Sequence, residues 1–404
     1  MKILFITDNF APEVNAPATR TYEHSREWIK EDDVEVTIIT CTPNFPHGRV
    51  YDGYKNKLYQ VEYIDGIKVI RVWSYITSNS GFIKRVLDYV SFGVMAFFVG
   101  LFQKHDVIVA TSPQFFTTWA AWGINKIRRK PWIFELRDLW PESIKTVGVM
   151  KQGKIIDILE KIELGLYKDC DKVIAVTEAF KTNLITRGIE SNKIEVVTNG
   201  SNIELFYPRE KDEELLKSLN LENKFIVGYI GTHGMAHSLD FIVKALSKVE
   251  DSTIHFLFIG DGAMKQSIVE IAKKLELKNI TFLEPISKEK VPRYLSICDV
   301  SLAPLKREDN FKTVIPSKIF EASVMLKPTL LGVEGQAQEI IEKYNAGICF
   351  KPEDENDFLE KLNILRNDKE QYKNLQLGCE ILATKFNRKY LANEMLFIIK
   401  NLSK

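Results

Sequence analysis

The stretch FIVGYIGTHG, residues 225–234, reads as a buried strand that runs into a glycine-flanked loop. Phe225 to Ile230 are apolar apart from Gly228, the pattern of a strand covered on both faces. Gly231-Thr232-His233-Gly234 then opens a helical stretch carrying Leu239, Ile242 and Leu246. Glycines let a backbone approach a ligand closely, and free amides at a helix start suit an anionic group. A plain tight strand-to-helix connection would use the same residues, so this loop alone does not decide a function.

The unit recurs in both directions. Toward the carboxyl end, strand candidates are Ile254–Ile259, Ile280–Leu283, Val300–Leu302, Thr329–Leu331 and Gly347–Phe350. Toward the amino end they are Lys2–Thr7, Val34–Thr40, Asp106–Thr111, Trp132–Leu136, Lys172–Val176 and Ile194–Val197, interrupted by a hairpin with Asp65-Gly66 at its turn. Short apolar runs alternating with helical stretches give an α/β chain with parallel sheets. The turn-rich segment Thr198–Asn202, followed by Phe206-Tyr207-Pro208, suits a linker between two Rossmann-like domains, residues 1–200 and 201–385. A last helix, about 386–404, is expected to pack back on the first domain.

Bulk properties narrow the function classes. With 404 residues, 45% hydrophobic and 27% charged, the chain is long enough for two ordinary domains. Its 55 basic and 54 acidic residues leave a net charge of +1, so no global field favours nucleic acid. Five scattered cysteines show neither a CxxC pair nor a zinc spacing, which fits a reducing cytoplasm. Asp169-Cys170-Asp171 has the spacing of a metal-bridged diphosphate site, but it precedes a strand instead of ending one. No metal and no cofactor are expected.

In open parallel sheets, ligands sit beyond the carboxyl ends of the strands. Gly260-Asp261-Gly262 is a second such loop, after Phe258-Ile259. In VIPSKIFE, residues 314–321, Pro316 suits a first helical turn, which places Ser317 and Lys318 at the positive helix end, with Glu321 one turn on, in reach of ribose hydroxyls. A solvated amine and a charge that merely complements the dipole remain the bland alternatives. In the first half, the long loop Asp8–Arg20 suggests a shaped wall holding Glu13, Asn15, Ala16 and Arg20, and ELRDLWPES, residues 135–143, sets Glu135, Arg137, Asp138 and Glu142 at a strand end. Ionisable groups there are costly unless paired or used, so a structural ion-pair network competes with a functional role.

Together, ELRDLWPES and PSKIFE (residues 316–321) resemble family 4 retaining glycosyltransferases of the GT-B fold, and in particular the O-antigen and capsule L-fucosamine transferases. The resemblance spans essentially the whole chain. It implies two Rossmann-like domains facing an interdomain cleft, with the donor nucleotide in the second and the acceptor on the first. Glu321 matches the later glutamate of the family's paired-glutamate motif, Gly260 and Gly262 a loop near the base, and Gly231 a loop near the diphosphate. Departures are specific: Asn15-Ala16 replaces a Gly-Gly, Arg137 a histidine, Thr313 the earlier glutamate, and Thr232 and His237 an Arg/Lys phosphate pair. Phosphate charge then falls on Lys318, Arg137 or amides, and the donor side comprises Gly231, Thr232, Gly234, His237, Gly260, Gly262, Pro316, Ser317, Lys318 and Glu321. Asp138 or Glu13 would orient the acceptor, beside Asn15, Ala16, Arg20 and Glu135.

The implied activity is metal-independent, retaining transfer of an N-acetylated amino sugar from a UDP-sugar to a polyprenyl-diphosphate-linked glycan at the cytoplasmic membrane face. A nucleotide-sugar 2-epimerase on the same architecture, and a non-catalytic two-lobed sugar-binding protein, are the alternatives. The apolar run Val90–Phe102 is too short for the ~20 residues of a bilayer span. It is either a core helix or an interfacial one, the latter favoured by Lys126, Arg128, Arg129 and Lys130 nearby.

Overall fold

A computed structural model describes residues 1–45, 47–77, 82–112, 115–139 and 153–402. Trp140–Ser143, the second half of the ELRDLWPES motif, lie outside the described residues. The chain forms two compact units: Met1–Asn199 with Arg388–Lys404, and Gly200–Asn387.

Unit 1 carries β1 (Lys2–Ile6), β2 (Glu35–Cys41), β3 (Tyr59–Ile64), β4 (Ile67–Val72), β5 (Val107–Thr111), β6 (Trp132–Leu136), β7 (Lys172–Ala175) and β8 (Ile194–Val196). They lie in the order β3-β4-β2-β1-β5-β6-β7-β8. Every pairing is parallel except the β3–β4 hairpin. Asp65 (φ 48°) and Gly66 (φ 85°) supply the two positive φ angles that a two-residue turn between right-twisted strands needs. Alternation sorts each strand between two cores: Leu4 and Ile6 enter one, Ile3 and Phe5 the other. Each fully buried side chain of this size contributes ~1.5–3 kcal/mol.

Helix α1 (Ala16–Trp28) follows β1, α2 (Phe82–Leu101) follows β4 and α3 (Phe115–Arg128) follows β5. The terminal helix Arg388–Leu402 buries Leu391, Met395 and Ile399 in the core shared with α1. There Trp28 Nε1 donates to the Ala392 carbonyl (2.7 Å), and Glu23 pairs with Arg388.

Unit 2 has β9 (Phe225–Ile230), β10 (Ile254–Ile259), β11 (Ile280–Leu283), β12 (Val300–Pro304), β13 (Thr329–Gly332) and β14 (Gly347–Cys349), all parallel in the order β11-β10-β9-β12-β13-β14. Chain order reverses between β9 and β12, as it does between β1 and β5 in unit 1. Loops leaving adjacent strands at such a switch point diverge and leave a crevice at the carboxyl edge.

Candidate functional site

At the switch point of unit 2, three segments converge. Gly231 N donates to Ile259 O (2.9 Å) and His233 N to Asp261 O (2.8 Å), so the loop after β9 runs along the loop after β10. Gly260 (φ 144°) and Gly262 (φ 154°) take conformations that L side chains rarely adopt. A Cβ on Gly260 would collide with the Gly231 carbonyl, and one on Gly262 would stand 2.6 Å from the His233 carbonyl. These glycines therefore serve a close backbone approach between loops.

Lys318 begins the helix Lys318–Val324. Its Nζ sits 3.4 Å from where a Cβ on Gly231 would lie and 3.6 Å from the centroid of the Tyr229 ring. That ammonium is shielded from water and has no hydrogen-bond partner among the described residues. Burial pulls its pKa down to about 7, against a smaller opposing pull from Glu321. A buried donor without a partner costs ~1–3 kcal/mol, and persists at functional positions where a ligand supplies the partner. Glu321 is held by an ion pair with Lys288, whose Nζ also lies 5.0 Å from the Phe206 ring centroid.

His233 is fully buried, and both of its ring nitrogens lack a partner among the described residues. Desolvation first, then Lys265 and Lys318, push it down to about 4; desolvation and Lys318 do the same to His237. Both are neutral at pH 7, able to donate a hydrogen bond but bringing no charge. Lys265 is committed to the Gly260 and Leu283 carbonyls at 2.9 and 2.8 Å. Unlike Lys265, Lys318 is committed to no hydrogen-bond partner among the described residues. Pro316 and Ser317 precede the helix instead of opening it, and Ser317 makes no side-chain cap, so the seven-residue helix contributes chiefly by presenting Lys318 and Glu321.

In unit 1 the structure gives several expected site residues structural work. Glu13, expected to orient the acceptor, accepts through Oε1 from the amides of Asn44 and Phe45 (2.8 Å each) and through Oε2 from Phe10 N (3.3 Å). It ties the loop after β1 to the loop after β2. Arg20 and Glu135 form a buried pair at 2.9 Å. The guanidinium continues to the carbonyls of Val197 and Thr198 at 2.9 and 2.6 Å. With these partners, Arg20 braces α1 against β6 and the segment after β8. Asn15 caps α1 through Oδ1 and Ala18 N (2.9 Å), and Ala16 is the first helical residue. Asp169 and Asp171 likewise serve structure, accepting from the indole and the backbone amide of Trp132.

What remains at this edge is Arg137, with Asp138 next to it. Arg137 Nη1 donates to the Pro17 carbonyl (3.2 Å) and its amide to Ser112 Oγ (2.8 Å). Burial lowers its pKa to about 10, with Glu135 and Asp8 opposing. Two carboxylates outside the sequence-derived set appear here. Burial raises Asp8, and it raises Asp88 on α2 to about 6. Among the described residues, no group of three or more His, Cys, Asp or Glu could hold a metal ion.

Two family models match the two halves: Glycosyltransferase Family 4 over residues 18–205 and Glycosyl transferases group 1 over residues 210–377. The chain is a glycosyltransferase of the GT-B fold. It belongs with the family 4 and group 1 glycosyltransferases. The transferase is 25% identical over 374 residues to the putative colanic acid biosynthesis glycosyl transferase WcaI of Escherichia coli, covering 87% of this chain and 89% of WcaI. It is 23% identical over 60% of the chain, and 62% of the relative, to a Campylobacter jejuni N,N'-diacetylbacillosaminyl-diphospho-undecaprenol alpha-1,3-N-acetylgalactosaminyltransferase. Sucrose-phosphate synthase from Thermosynechococcus elongatus shares the fold at a TM-score of 0.78 with 17% identity, covering 99% of this chain and 98% of its own. Anabaena HepE in complex with UDP and glucose does so at 0.71 with 16% identity, covering 99% and 100%. The enzyme class is accordingly glycosyltransferase.

Several groups beside these loops have no role in the sequence reading: His233, Tyr229, Lys265 and Lys288 in unit 2, Asp8 and Asp88 in unit 1. His233 had a visible signal, a lone imidazole between two glycines after a strand. Lys288 and Asp88 had none, because only the packing brings them to the strand ends.

Proposed function

We propose that this glycosyltransferase takes a sugar from a UDP-linked donor held by unit 2 and passes it, with retention, to a polyprenyl-diphosphate-linked glycan on unit 1. It would act in peripheral contact with the cytoplasmic face of the membrane. The observation that carries the donor half is the unpartnered Lys318 ammonium beside the Gly231 backbone. Support for UDP comes from the HepE complex, and for a lipid diphosphate acceptor from the name of the Campylobacter relative.

In the transfer, the bond from the anomeric carbon to the diphosphate oxygen breaks as the acceptor oxygen bonds to that carbon. The acceptor proton passes to an oxygen of the departing diphosphate. Positive charge builds on the sugar ring and negative charge on UDP. Lys318 meets the latter, with neutral His233 and His237 and the Gly231 loop as further donors. A fixed donor aimed at developing charge contributes ~3 kcal/mol. Glu321 accepts from the ribose hydroxyls, exchanging or sharing its contact with Lys288. Asp138 orients the acceptor, with Arg137 beside it as a further phosphate cation, while the Glu13 carboxylate holds its loop. An N-acetylated amino sugar is the favoured cargo, on the likeness of ELRDLWPES and PSKIFE to fucosamine transferases.

Incubating the purified enzyme with a panel of UDP-N-acetylamino sugars and a polyprenyl-diphosphate-linked acceptor tests this. Transfer with a retained anomeric configuration, read by proton NMR, is expected. Donor turnover only with GDP- or TDP-sugars, or an inverted product, would replace the reading.

A further inference from the structure

Helices α2 and α3 cover one face of the unit 1 sheet, with Phe92, Ala96, Ala121 and Ile124 buried in the same core. They also pack flank to flank through glycines. A Cβ on Gly93 would stand 2.8 Å from the Phe116 carbonyl, and one on Gly123 2.8 Å from the Phe97 ring. Phe97 is therefore a packing residue. With the sheet side and the shared flank occupied, the remaining sides of both helices point outward together.

Those outward sides are apolar. On α2, Leu87, Val94 and Phe98 are about half exposed (50, 47 and 55%), at spacings of seven and four that make one stripe, and Phe102 beyond the helix end is 84% exposed. On α3, Trp119 and Trp122 are 37 and 41% exposed, and exposed Lys126 continues the line. Basic residues stand at both ends: exposed Lys84 and Arg85 at the start of α2, exposed Lys126 and Arg128 at the end of α3, then Arg129 and Lys130. Lys126 is paired with Asp169 and lies 5.9 Å from the Trp122 ring. Asp88 is the sole acid in the two helix sequences, and it is half-buried. No helix among the described residues is long and apolar enough to cross a membrane.

We propose that the outward α2–α3 face is a membrane-docking surface, which lies flat in the interface of an anionic phospholipid bilayer with Leu87, Val94, Phe98, Phe102, Trp119 and Trp122 among the acyl chains. This names the surface of the membrane contact suggested above and rests on that reading. A chain with near-zero net charge has no general attraction for anionic lipid, so the local basic excess is what supplies the complementarity. Cations at both ends of an apolar stripe favour headgroup contact along its whole length; cations at one end would favour end-on docking. Exposed indoles suit the headgroup boundary, being apolar rings with one polar edge.

The test is flotation of the full chain with vesicles of phosphatidylglycerol and phosphatidylcholine, against phosphatidylcholine alone, with size-exclusion chromatography of the free protein and UDP binding as a fold control. The wild type should float on the anionic vesicles, and brominated lipid should quench its tryptophan emission. Val94→Ser/Phe98→Ser should cut the partition coefficient at least tenfold. Lys84→Glu/Arg85→Glu, at exposed positions, should cut it several-fold, and Trp119→Phe/Trp122→Phe should remove most of the quenching. Unchanged flotation of these variants overturns the surface while leaving membrane contact standing. A wild type that floats on no vesicle overturns both. A wild-type dimer that the Val94/Phe98 change converts to a monomer would make the face a subunit contact and also overturn the proposal.

Discussion

The Nζ of Lys318 stands 3.6 Å from the centroid of the Tyr229 ring and makes no hydrogen bond to any described residue. The ring face offers an electrostatic partner, worth ~2 kcal/mol when desolvated, but it leaves the three N–H donors unused. Tyr229 is itself fixed by donating its hydroxyl to the Thr232 carbonyl (2.6 Å), so the aromatic platform, the glycine loop and the ammonium hold one another in register. The stranded ammonium is a cost to the unliganded protein.

That cost is measurable. Lys318→Met keeps the stem and removes the stranded charge, so it should raise stability by roughly 1–3 kcal/mol at pH 6.5 while weakening UDP binding at least 30-fold. Thermal melts with and without UDP check both. Equal destabilisation of fold and binding would mean Lys318 is structural.

The depressed pKa of Lys318, about 7, sets a pH dependence. The folded state binds fewer protons than the unfolded one between about 7 and the ordinary lysine value. This group's contribution to stability therefore rises with pH across that window, and its ammonium is fully present below it. Binding of a diphosphate needs the ammonium. Between pH 7 and 9, where the terminal phosphate of UDP is already ionised, its Kd should rise on the order of tenfold or more. Lys318→Arg, always charged, should show a flat profile. Calorimetry at four pH values checks this, and a flat wild-type profile would refute it.

Gly260→Ala should lower the melting temperature and abolish UDP binding together. Its Cβ would collide with the Gly231 carbonyl, and its φ of 144° is strained for any L residue by ~1–3 kcal/mol before the collision is counted. Retained binding would show that the two loops separate freely.

Arg20→Ala should destabilise unit 1 by ~3–5 kcal/mol, read as a shift of its urea midpoint, because Glu135 would be left charged and buried. Arg20→Met with Glu135→Gln should recover much of that loss. If single and double variants melt alike and only transfer falls, Arg20 serves the acceptor after all.

Much of the fold was legible because buried parallel strands leave unbroken apolar runs. Phe225–Ile230, Ile254–Ile259 and Ile280–Leu283 were bounded correctly to the residue, and the Asp65-Gly66 turn lies where its chemistry requires. Glycine loops after strands point to Gly231 and Gly260, and the helix start after Pro316 to Lys318; the structure brings the three together. Roles of ionisable residues were less legible. Glu13 and Arg20 look functional in a line of sequence, since nothing local discloses that backbone groups up to 178 positions away consume their hydrogen-bonding capacity. The run Val90–Phe102 reads as either core or interface because its two sides differ: Phe92 and Ala96 point in, Val94 and Phe98 out.

The most direct measurement is a crystal structure of the enzyme soaked with UDP. The diphosphate should lie within hydrogen-bond distance of Lys318 Nζ, over the Gly231–Gly234 loop, with the ribose against Glu321. Density for UDP elsewhere, with the Lys318 ammonium still unpartnered beside Tyr229, would contradict the account.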